Sequence, residues 1–231
     1  MMGFQFKQFY VAHSDVAMKV GTDGILLGAW ADVQSAQSVL DIGAGSGLIS
    51  LMLKQRSPFI SITAIEIDAK AALQAKSNIA HSQWPDIKVI EHDILTYTSA
   101  QPFDLVVSNP PFFQRSLKGP NEARNTARHT DSLSFAGLFD AFNRLSTLDA
   151  KLALVLPAES LDQISTLVTK YGFCLSRITY VKTTLTKPAK RVLIEVSKLE
   201  QICLESELII HQGDGYHPDY IQLCKGFYLK M

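Results

Sequence analysis

The sequence has few cysteines and no long apolar run. Its three cysteines, Cys174, Cys203 and Cys224, form no C-x-x-C pair, so we expect reduced packing residues and neither a disulfide framework nor a zinc site. The six histidines are likewise dispersed, and no metal site is predicted. No apolar stretch approaches the roughly 20 residues of a membrane span. The first residues, MMGFQFK, lack the apolar segment of a signal peptide, so we expect a cytoplasmic protein that does not bind membranes.

An excess of positive charge is also missing. The 22 lysines and arginines balance 22 aspartates and glutamates, and the formal net charge is zero. Because phosphate neutralisation drives much of the binding to nucleic acid, the overall charge gives no support to such a partner, and local basic clusters have to be examined instead. At 231 residues, with 47% hydrophobic and 19% charged residues, the chain has the size and composition of a globular protein with one sizeable core.

The chain does contain an alternation of short β-branched runs and helical stretches. This pattern, from about residue 38 to residue 198, predicts an α/β domain with a mostly parallel sheet. Predicted strands cover residues 38–42, 61–65, 87–91, 103–107 and 151–156, then a hairpin of 177–182 with 191–198, and 207–211 is a candidate further strand. We expect one domain over 1–231, with a core at 38–231 and an N-terminal piece at 1–37. That piece includes a short helix over 24–30, capped by Thr22 or Asp23.

A glycine-rich turn follows the first strand of the core. Its sequence is DIGAGSG; Asp41 precedes the three glycines, which are Gly43, Gly45 and Gly47. Glycines let a ligand approach the backbone closely, and the carboxyl edge of an open α/β sheet is where ligands bind. A dinucleotide loop needs a third small residue where Leu48 stands, so an NAD-dependent oxidoreductase is disfavoured. An acid this close to the loop is a poor neighbour for phosphates, but it can pair with the ammonium group of a methionine moiety.

Acidic residues at the next two strand ends extend this pattern. Glu66 ends the second strand and is placed to accept hydrogen bonds from both hydroxyls of a ribose, with Ile67 beside it as a further contact. After the third strand, Asp93 is placed to accept from an adenine amino group while Ile94 lies against the ring. Together with the loop, these residues predict a site for S-adenosylmethionine. Asp68 is predicted instead to cap the following helix.

The fourth strand runs into the sequence SNPPFF, the most informative stretch of the chain. Prolines fix the backbone, and Pro110 keeps Asn109 out of the α region. The turn therefore presents two carbonyl acceptors, the Asn109 side chain and the Pro110 backbone, which can hold both N–H groups of an exocyclic amine. Such acceptors stabilise positive charge that develops on the nitrogen and hold it in line with a sulfonium methyl group. Asn109 thus also borders the cofactor, and Phe112 can stack on a target base.

Three N-terminal segments carry a family resemblance: FKQF at 6–9, VAH at 11–13 and MKVGTDGILLGAW at 18–30. With the glycine loop and the Asn-Pro-Pro-Phe motif, they resemble the bacterial tRNA1(Val) adenine N6-methyltransferases, nearly from end to end. The resemblance implies a Rossmann-like class I methyltransferase fold, whose seven-stranded, mostly parallel sheet has an antiparallel C-terminal hairpin strand. It implies methyl transfer to N6 of the unpaired adenosine just 3′ of the anticodon. It also implies that the segment 1–37 helps to close the site, with Lys19, Gly21 and Thr22 as cofactor contacts.

Basic residues follow the acceptor motif and predict a surface for the tRNA. A predicted lid over 114–131 contains the predicted phosphate contacts Arg115, Lys118, Arg124 and Arg128, and Glu122 is the one acid between residues 114 and 129. A second basic cluster surrounds the predicted hairpin turn and consists of Lys182, Lys187, Lys190 and Arg191. For this hairpin cluster, RNA contact and a solvated surface both remain open. No obligatory protein partner is evident.

Two other interpretations stay open. Methyltransferases that act on a release-factor glutamine or on guanine N2 of ribosomal RNA share the Asn-Pro-Pro-aromatic motif. They usually carry an extra N-terminal domain, which is absent here, so we expect the tRNA family instead. A cofactor-binding scaffold for RNA without activity is disfavoured by the intact Asn109 and Phe112.

Overall fold

An eight-stranded sheet dominates the structure, a computed structural model that describes residues 3–13, 19–111 and 133–231. The strands in chain order are β1 (Gly3–Gln5), β2 (Tyr10–Ala12), β3 (Ser38–Ile42), β4 (Ser61–Glu66), β5 (Lys88–Glu91), β6 (Phe103–Ser108), β7 (Ser146–Pro157), β8 (Cys174–Lys182), β9 (Ala189–Ser197), β10 (Leu204–Ile209), β11 (His211–Gln212) and β12 (Gly215–Tyr216). The helices are α1 (Thr22–Trp30), α2 (Leu48–Arg56), α3 (Ala69–Ala80), α4 (Phe135–Leu145), α5 (Leu161–Tyr171) and α6 (Pro218–Cys224), with a 3-10 turn at Ala158–Ser160.

The large sheet has the order β10-β8-β9-β7-β6-β3-β4-β5. Only β9 runs antiparallel to its neighbours, β7 and β8, so the predicted mostly parallel sheet with an antiparallel hairpin strand is confirmed. The predicted count of seven strands was wrong, because β10, which overlaps the candidate strand at 207–211, adds an eighth strand at the edge, parallel to β8. Its sequence, LESELI, buries only Leu208, so it lacks the apolar run of the central strands.

Two hydrophobic clusters fill the two faces of this sheet. One joins it to α1, α2 and α6, and the other joins it to α4 and α5. Short-range signals explain the helix starts: the Ser134 hydroxyl accepts a hydrogen bond from the Gly137 amide at α4, and the Asp68 carboxylate accepts one from the Ala71 amide at α3. The second of these confirms the predicted cap. No helix in the described parts of the chain has the length and apolar character needed to cross a membrane.

The start of α1 differs from the prediction. The helix begins at Thr22, two residues earlier than expected, and Gly21 is its N-cap without any side-chain capping bond. The predicted capping by Thr22 or Asp23 was therefore wrong. Asp23 is held elsewhere, because its Oδ2 accepts a hydrogen bond from Arg191 Nε of β9 at 2.8 Å. The long-range ion pair with Arg191 therefore replaces the capping bond that the local sequence pattern predicted for Asp23.

The N-terminal piece packs directly on the core. Trp30, at the end of α1, donates from Nε1 to Thr179 Oγ1 of β8 at 2.9 Å, and the Arg177 guanidinium lies 3.5 Å from its ring centroid. Such a cation–π contact contributes about 0.5–2 kcal/mol, depending on its exposure to solvent. On the opposite face, Gly28 allows close approach of Met52 in α2, since a Cβ at this glycine would lie 2.7 Å from the Met52 sulfur. These contacts hold α1 in one place beside the sheet.

Candidate active site

The carboxyl ends of four parallel strands meet at one edge of the sheet. Ile42 at the end of β3 pairs with Ile65 of β4 on one side and with Ser108 of β6 on the other. Glu66 of β4 pairs in turn with Glu91 of β5. From β3 the chain proceeds outward to β4 and β5, and β6 then returns to the other side of β3. The crevice between β3 and β6 is therefore the topological switch point, where open α/β sheets bind ligands.

The glycine loop forms an open cradle above this switch point. Gly43, Gly45 and Gly47 have positive φ angles of 72°, 55° and 80°, a conformation that strains other residues. The Gly43 amide donates to the Ile65 carbonyl oxygen at 2.9 Å, which fixes the loop over β4. A Cβ added at Gly43 or Gly45 would have no heavy atom of the described residues within 4 Å. The predicted loop thus leaves free space where a ligand can approach the backbone.

Asp41 is fully buried beneath this loop. Its Oδ2 accepts a hydrogen bond from Ser50 Oγ of α2 at 2.6 Å, whereas its Oδ1 is buried with no hydrogen-bond partner in the described part of the chain. Burial raises the pKa of the carboxyl to about 6; the bond from Ser50 opposes this, and the charge of Glu66 adds to it. A buried acceptor without a partner is costly, by about 1–3 kcal/mol. The site therefore fits a ligand that brings a positively charged donor.

Glu66 is also buried, and its carboxylate shapes the loop. Oε2 accepts from the Gly45 amide at 2.8 Å and Oε1 from the Asp68 amide at 2.9 Å. Each carboxylate oxygen has a second lone pair, so acceptance from ribose hydroxyls remains open to it. Ile67, the next residue, is 61% exposed, unusual for an isoleucine. These positions are compatible with the predicted ribose site, and the bond to Gly45 was not foreseen.

Asp93 and Ile94 follow β5 at the same edge. Asp93 Oδ1 accepts from the Leu95 amide at 2.9 Å, so its carboxylate stabilises the turn after the strand. Ile94 is 5% exposed and packs in the hydrophobic cluster under α4 and α5. Both residues follow the edge strand β5, which is two strands from β3, and each already has a local role, so their contacts with adenine stay a prediction. Among the residues that the structure describes, no group of three or more His, Cys, Asp or Glu is placed to hold a metal ion.

The acceptor motif stands on the other side of the crevice. Ser108 Oγ donates to the Ile42 carbonyl oxygen at 2.8 Å, which ties the end of β6 to the start of the glycine loop. Asn109 is half-buried, with its Oδ1 buried, and Pro110 is buried too. A Cβ on Gly24 would lie 4.0 Å from Asn109 Nδ2, so α1 lines the motif. The remaining predicted acceptor and RNA contacts lie outside the described residues: Phe112, Arg115, Lys118, Arg124 and Arg128.

The N-terminal residues predicted to contact the cofactor lie at the start of α1. Lys19, Gly21 and Thr22 are all exposed, and the Val20 amide between them donates to His13 Nδ1 at 3.3 Å. The structure places this stretch near the acceptor motif, because Gly24 follows two residues after Thr22. No contact of the three with the glycine loop follows from the described geometry, so their role in the cofactor site stays a prediction.

Asn78 of α3 connects the N-terminal piece to the glycine loop and was missed from the sequence. Its Oδ1 accepts from the Ala12 amide at 3.0 Å, and its Nδ2 donates to the carbonyl oxygens of Ala12 and Ser46, both at 2.9 Å. The sequence did contain a signal for this residue: Asn78 is the one polar residue on the buried face of α3, which otherwise consists of Ala71, Ala72, Ala75 and Ile79. Ser50, the partner of Asp41, likewise interrupts the buried apolar run of α2.

Comparison with known proteins agrees with this geometry. The family model described as "Methyltransferase small domain" matches residues 12–129. A tRNA1(Val) (adenine(37)-N6)-methyltransferase of Pseudoalteromonas translucida (strain TAC 125) is 53% identical over the whole of both chains. One from Aeromonas hydrophila is 48% identical over 99% of this chain and 98% of the relative. Among solved structures, a predicted O-methyltransferase from Agrobacterium tumefaciens has a TM-score of 0.66 at 19% identity, covering 89% of this chain and 96% of that one, which supports the fold alone.

Proposed function

The chain belongs to the family of tRNA1(Val) (adenine(37)-N6)-methyltransferases, as the sequence resemblance predicted, and from this premise we propose its activity and mechanism. The proposed reaction transfers a methyl group from S-adenosylmethionine to N6 of an adenosine adjacent to the anticodon of tRNA1(Val). The observation that carries the proposal is the pairing of β3 with β6. Ile42 pairs with Ser108, so the glycine loop and Asn109 follow directly at neighbouring strand ends. The donor cradle and the acceptor motif therefore face the same crevice.

The donor side consists of residues that match the parts of S-adenosylmethionine. When bound, this cofactor supplies a methyl group activated by a positively charged sulfur. Asp41 offers a buried carboxylate oxygen to the ammonium group of its methionine part. Glu66 offers its remaining lone pairs to the ribose hydroxyls, and Ile67 with Asp93 and Ile94 border the adenine. The open space before Gly43 and Gly45 lets the cofactor lie against the backbone.

The acceptor side holds the target amine. The lone pair of an adenine amino group is delocalised into its ring, so the nitrogen is a poor nucleophile. The Asn109 side chain and the Pro110 backbone each offer an oxygen acceptor to one of the two N–H bonds. Acceptors aligned in this way favour a pyramidal nitrogen and stabilise the positive charge that develops on it. The cationic nitrogen then loses its proton readily, so no strong base is required before attack. An unpaired base enters this pocket directly, and Phe112 is proposed to stack on it.

The N-terminal piece, residues 1–37, is proposed to help close the site. Two features support this role: Gly24 of α1 lies against Asn109, and Asn78 bonds Ala12 to the loop carbonyl of Ser46. Lys19, Gly21 and Thr22 stand at the start of α1 and are proposed as cofactor contacts. Beyond the acceptor motif, the basic residues Arg115, Lys118, Arg124 and Arg128 are proposed to bind tRNA phosphates, because phosphate contacts position a nucleic acid without reading its sequence.

A methyl-transfer assay with purified protein tests the proposal. Unmodified tRNA1(Val) and an otherwise identical transcript that lacks the adenosine are incubated with labelled S-adenosylmethionine, digested to nucleosides and examined by mass spectrometry. We expect N6-methyladenosine from the first transcript alone. Turnover by the purified chain would also support the expectation that no protein partner is required. Binding of the cofactor without methylation of either transcript would contradict the proposed acceptor and favour another amino group.

A further inference from the structure

A second groove opens at the carboxyl edge of the sheet, on the other side of the start of α1 from Asn109. Its volume is about 330 Å³, near the lower end of the range for small-molecule sites, about 300–1,000 Å³. Its walls combine aromatic rings with basic side chains, among them Lys190, Arg191, His211, Tyr216 and Tyr220. We refer to it as the aromatic–basic groove. Thr22, a proposed cofactor contact, also lines this groove, but its aromatic and basic residues have no role in the proposed transfer step.

The aromatic–basic groove and the acceptor motif share the same helix start. Asp23 lines the groove, whereas the next residue, Gly24, faces Asn109. Arg191, on the opposite wall, pairs in register with Pro157 at the end of β7, the strand beside β6. The groove therefore opens at the sheet edge that presents the acceptor motif. An RNA whose adenosine reaches Asn109 has neighbouring nucleotides at this edge.

Three packed aromatic rings form one wall of the aromatic–basic groove. The rings of His211 and Tyr216 are stacked, with centroids 5.2 Å apart and planes 23° from parallel, while Tyr220 packs against Tyr216 at 5.1 Å with its plane tilted by 39°. Tyr220 is buried and its hydroxyl bonds that of Tyr228, so the base of the wall is anchored. Tyr216 is 42% exposed. Anchored, partly exposed rings of this kind are the platforms on which nucleobases stack.

Charge in the aromatic–basic groove is only partly neutralised. Within the groove Arg191 pairs with Asp23, and beside it Lys182 at the end of β8 pairs with Glu207. Lys190 is exposed and forms no ion pair within the described residues. An exposed lysine without a counter-charge, beside a stacking wall, matches a phosphate next to a base. A peptide or a second copy of this chain would not require that combination.

We propose that the aromatic–basic groove binds a nucleotide of the substrate tRNA close to the target adenosine. Its base stacks on the exposed part of the His211–Tyr216 ring pair, and its phosphate pairs with Lys190. The proposal rests on the proposed function for the identity of the RNA. It assigns part of the hairpin cluster to RNA contact, which the sequence had left open between contact and solvent.

Matched double variants test this proposal. The test variant is Tyr216→Ala with Lys190→Ala. The control is Phe59→Ala with Lys88→Ala, an exposed aromatic and an exposed lysine at the opposite, amino edge of the sheet, before β4 and at the start of β5. Tyr216→Phe keeps the ring and serves as the conservative variant. For each protein, the Kd for unmodified tRNA1(Val) is measured by fluorescence anisotropy over a range of salt concentrations, and the Kd for S-adenosylmethionine by calorimetry.

We expect the test variant to raise the tRNA Kd at least about fivefold, as the loss of one base stack does, and Tyr216→Phe to retain wild-type affinity. Because the test variant also lacks the Lys190 ammonium group, its slope of log K against log salt should be smaller by about 0.7–0.9, the value for one phosphate contact. The control variant should bind tRNA like the wild type, and all variants should bind the cofactor with unchanged affinity. Normal cofactor binding also verifies that each variant is folded.

A wild-type tRNA Kd in the test variant would overturn the groove assignment. An equal loss of tRNA affinity in the control variant would also overturn it. The same holds if the wild-type protein self-associates with rising concentration and the test variant abolishes this self-association without changing the tRNA Kd. These outcomes differ from a failure of the proposed function. A wild-type protein that binds tRNA1(Val) but does not methylate it would overturn the reaction, while a selective loss of binding in the test variant would still support the groove.

Discussion

Asp41 should make cofactor binding depend on pH. Burial raises the pKa of its carboxyl to about 6, so a large fraction of the protein carries a neutral Asp41 under mildly acidic conditions. A neutral carboxyl cannot pair with the ammonium group of S-adenosylmethionine. We therefore expect the cofactor to bind tightly only to the ionised form, and acidification to weaken binding.

The size of this effect follows from the pKa. With a pKa of about 6, roughly nine tenths of the molecules carry an ionised Asp41 at pH 7 and roughly one tenth at pH 5. The cofactor Kd should therefore rise about tenfold from pH 7 to pH 5, which corresponds to about 1.4 kcal/mol. The bound ammonium group lowers the pKa of the carboxyl, so binding releases a proton. Affinity accordingly increases with pH and levels off near pH 7.

Calorimetric titration with S-adenosylmethionine at pH 5, 6 and 7 measures this dependence. Asp41→Asn is the control, because its amide oxygen can still accept the hydrogen bond from Ser50 while it has no charge to lose. We expect this variant to bind weakly and with the same Kd at each pH. Equal wild-type affinity at pH 5 and pH 7, or the same pH dependence in Asp41→Asn, would refute the assignment of Asp41 to the cofactor ammonium.

The same carboxyl should affect folding in the cofactor-free protein. Its folded pKa is raised above the unfolded value, so its contribution to stability is complete below about pH 4 and is lost as the pH rises through about 6. Raising the pKa of a fully buried acid by about two corresponds to about 3 kcal/mol. From pH 4 to pH 7 the free energy of unfolding of Asp41→Asn should therefore rise by about this amount relative to wild type in urea titrations. A constant difference would contradict the raised pKa.

Three further substitutions test the site and its supports. Asn109→Ala should lower kcat about 10²–10³-fold while calorimetry finds nearly wild-type cofactor affinity, because its main role is to hold the amine; unchanged turnover would exclude the mechanism. Asn78→Asp removes the donor to two buried carbonyl oxygens, so it should lower the free energy of unfolding by at least about 2 kcal/mol and raise the cofactor Kd through the Ser46 loop. Wild-type values in both measurements would show that this clamp is dispensable. Asp68→Ala should cost about 1 kcal/mol in urea unfolding through the lost cap at Ala71, and a loss of turnover beyond this would indicate direct cofactor contact.

Local sequence signals predicted the elements around the site accurately. The strand Ser38–Ile42 has the predicted bounds, and Asp68 caps the helix that follows β4, as predicted. Both depend on short-range features: a buried apolar run, and a side chain that reaches an amide three residues on. The order of the motifs at successive strand ends also led to the family, which the comparisons confirmed.

The predictions were wrong or incomplete where a side chain or strand has its partner in a distant segment of the chain. Asp23 bonds Arg191, more than 160 residues away, so it does not cap α1. The sequence indicated β10 only as a candidate strand at 207–211; its start at Leu204 and its place at the sheet edge depend on pairing with β8, a separate segment. Asn78 could be recognised as an unusual polar residue on a buried helical face, but its partners, Ala12 and Ser46, come from two other segments.

The sequence by itself determined the type of fold, the positions of the glycine loop and the acceptor motif, and the family, since these depend on patterns within a few consecutive residues. Tertiary structure alone decided that Asp41 is fully buried with a raised pKa, that Glu66 holds the glycine loop, and that the rings of His211, Tyr216 and Tyr220 pack beside Lys190. The physical reason is that desolvation, hydrogen bonding across segments and ring stacking depend on which distant parts of the chain become neighbours. That arrangement arises only when the sheet has assembled and its helices have packed on both faces.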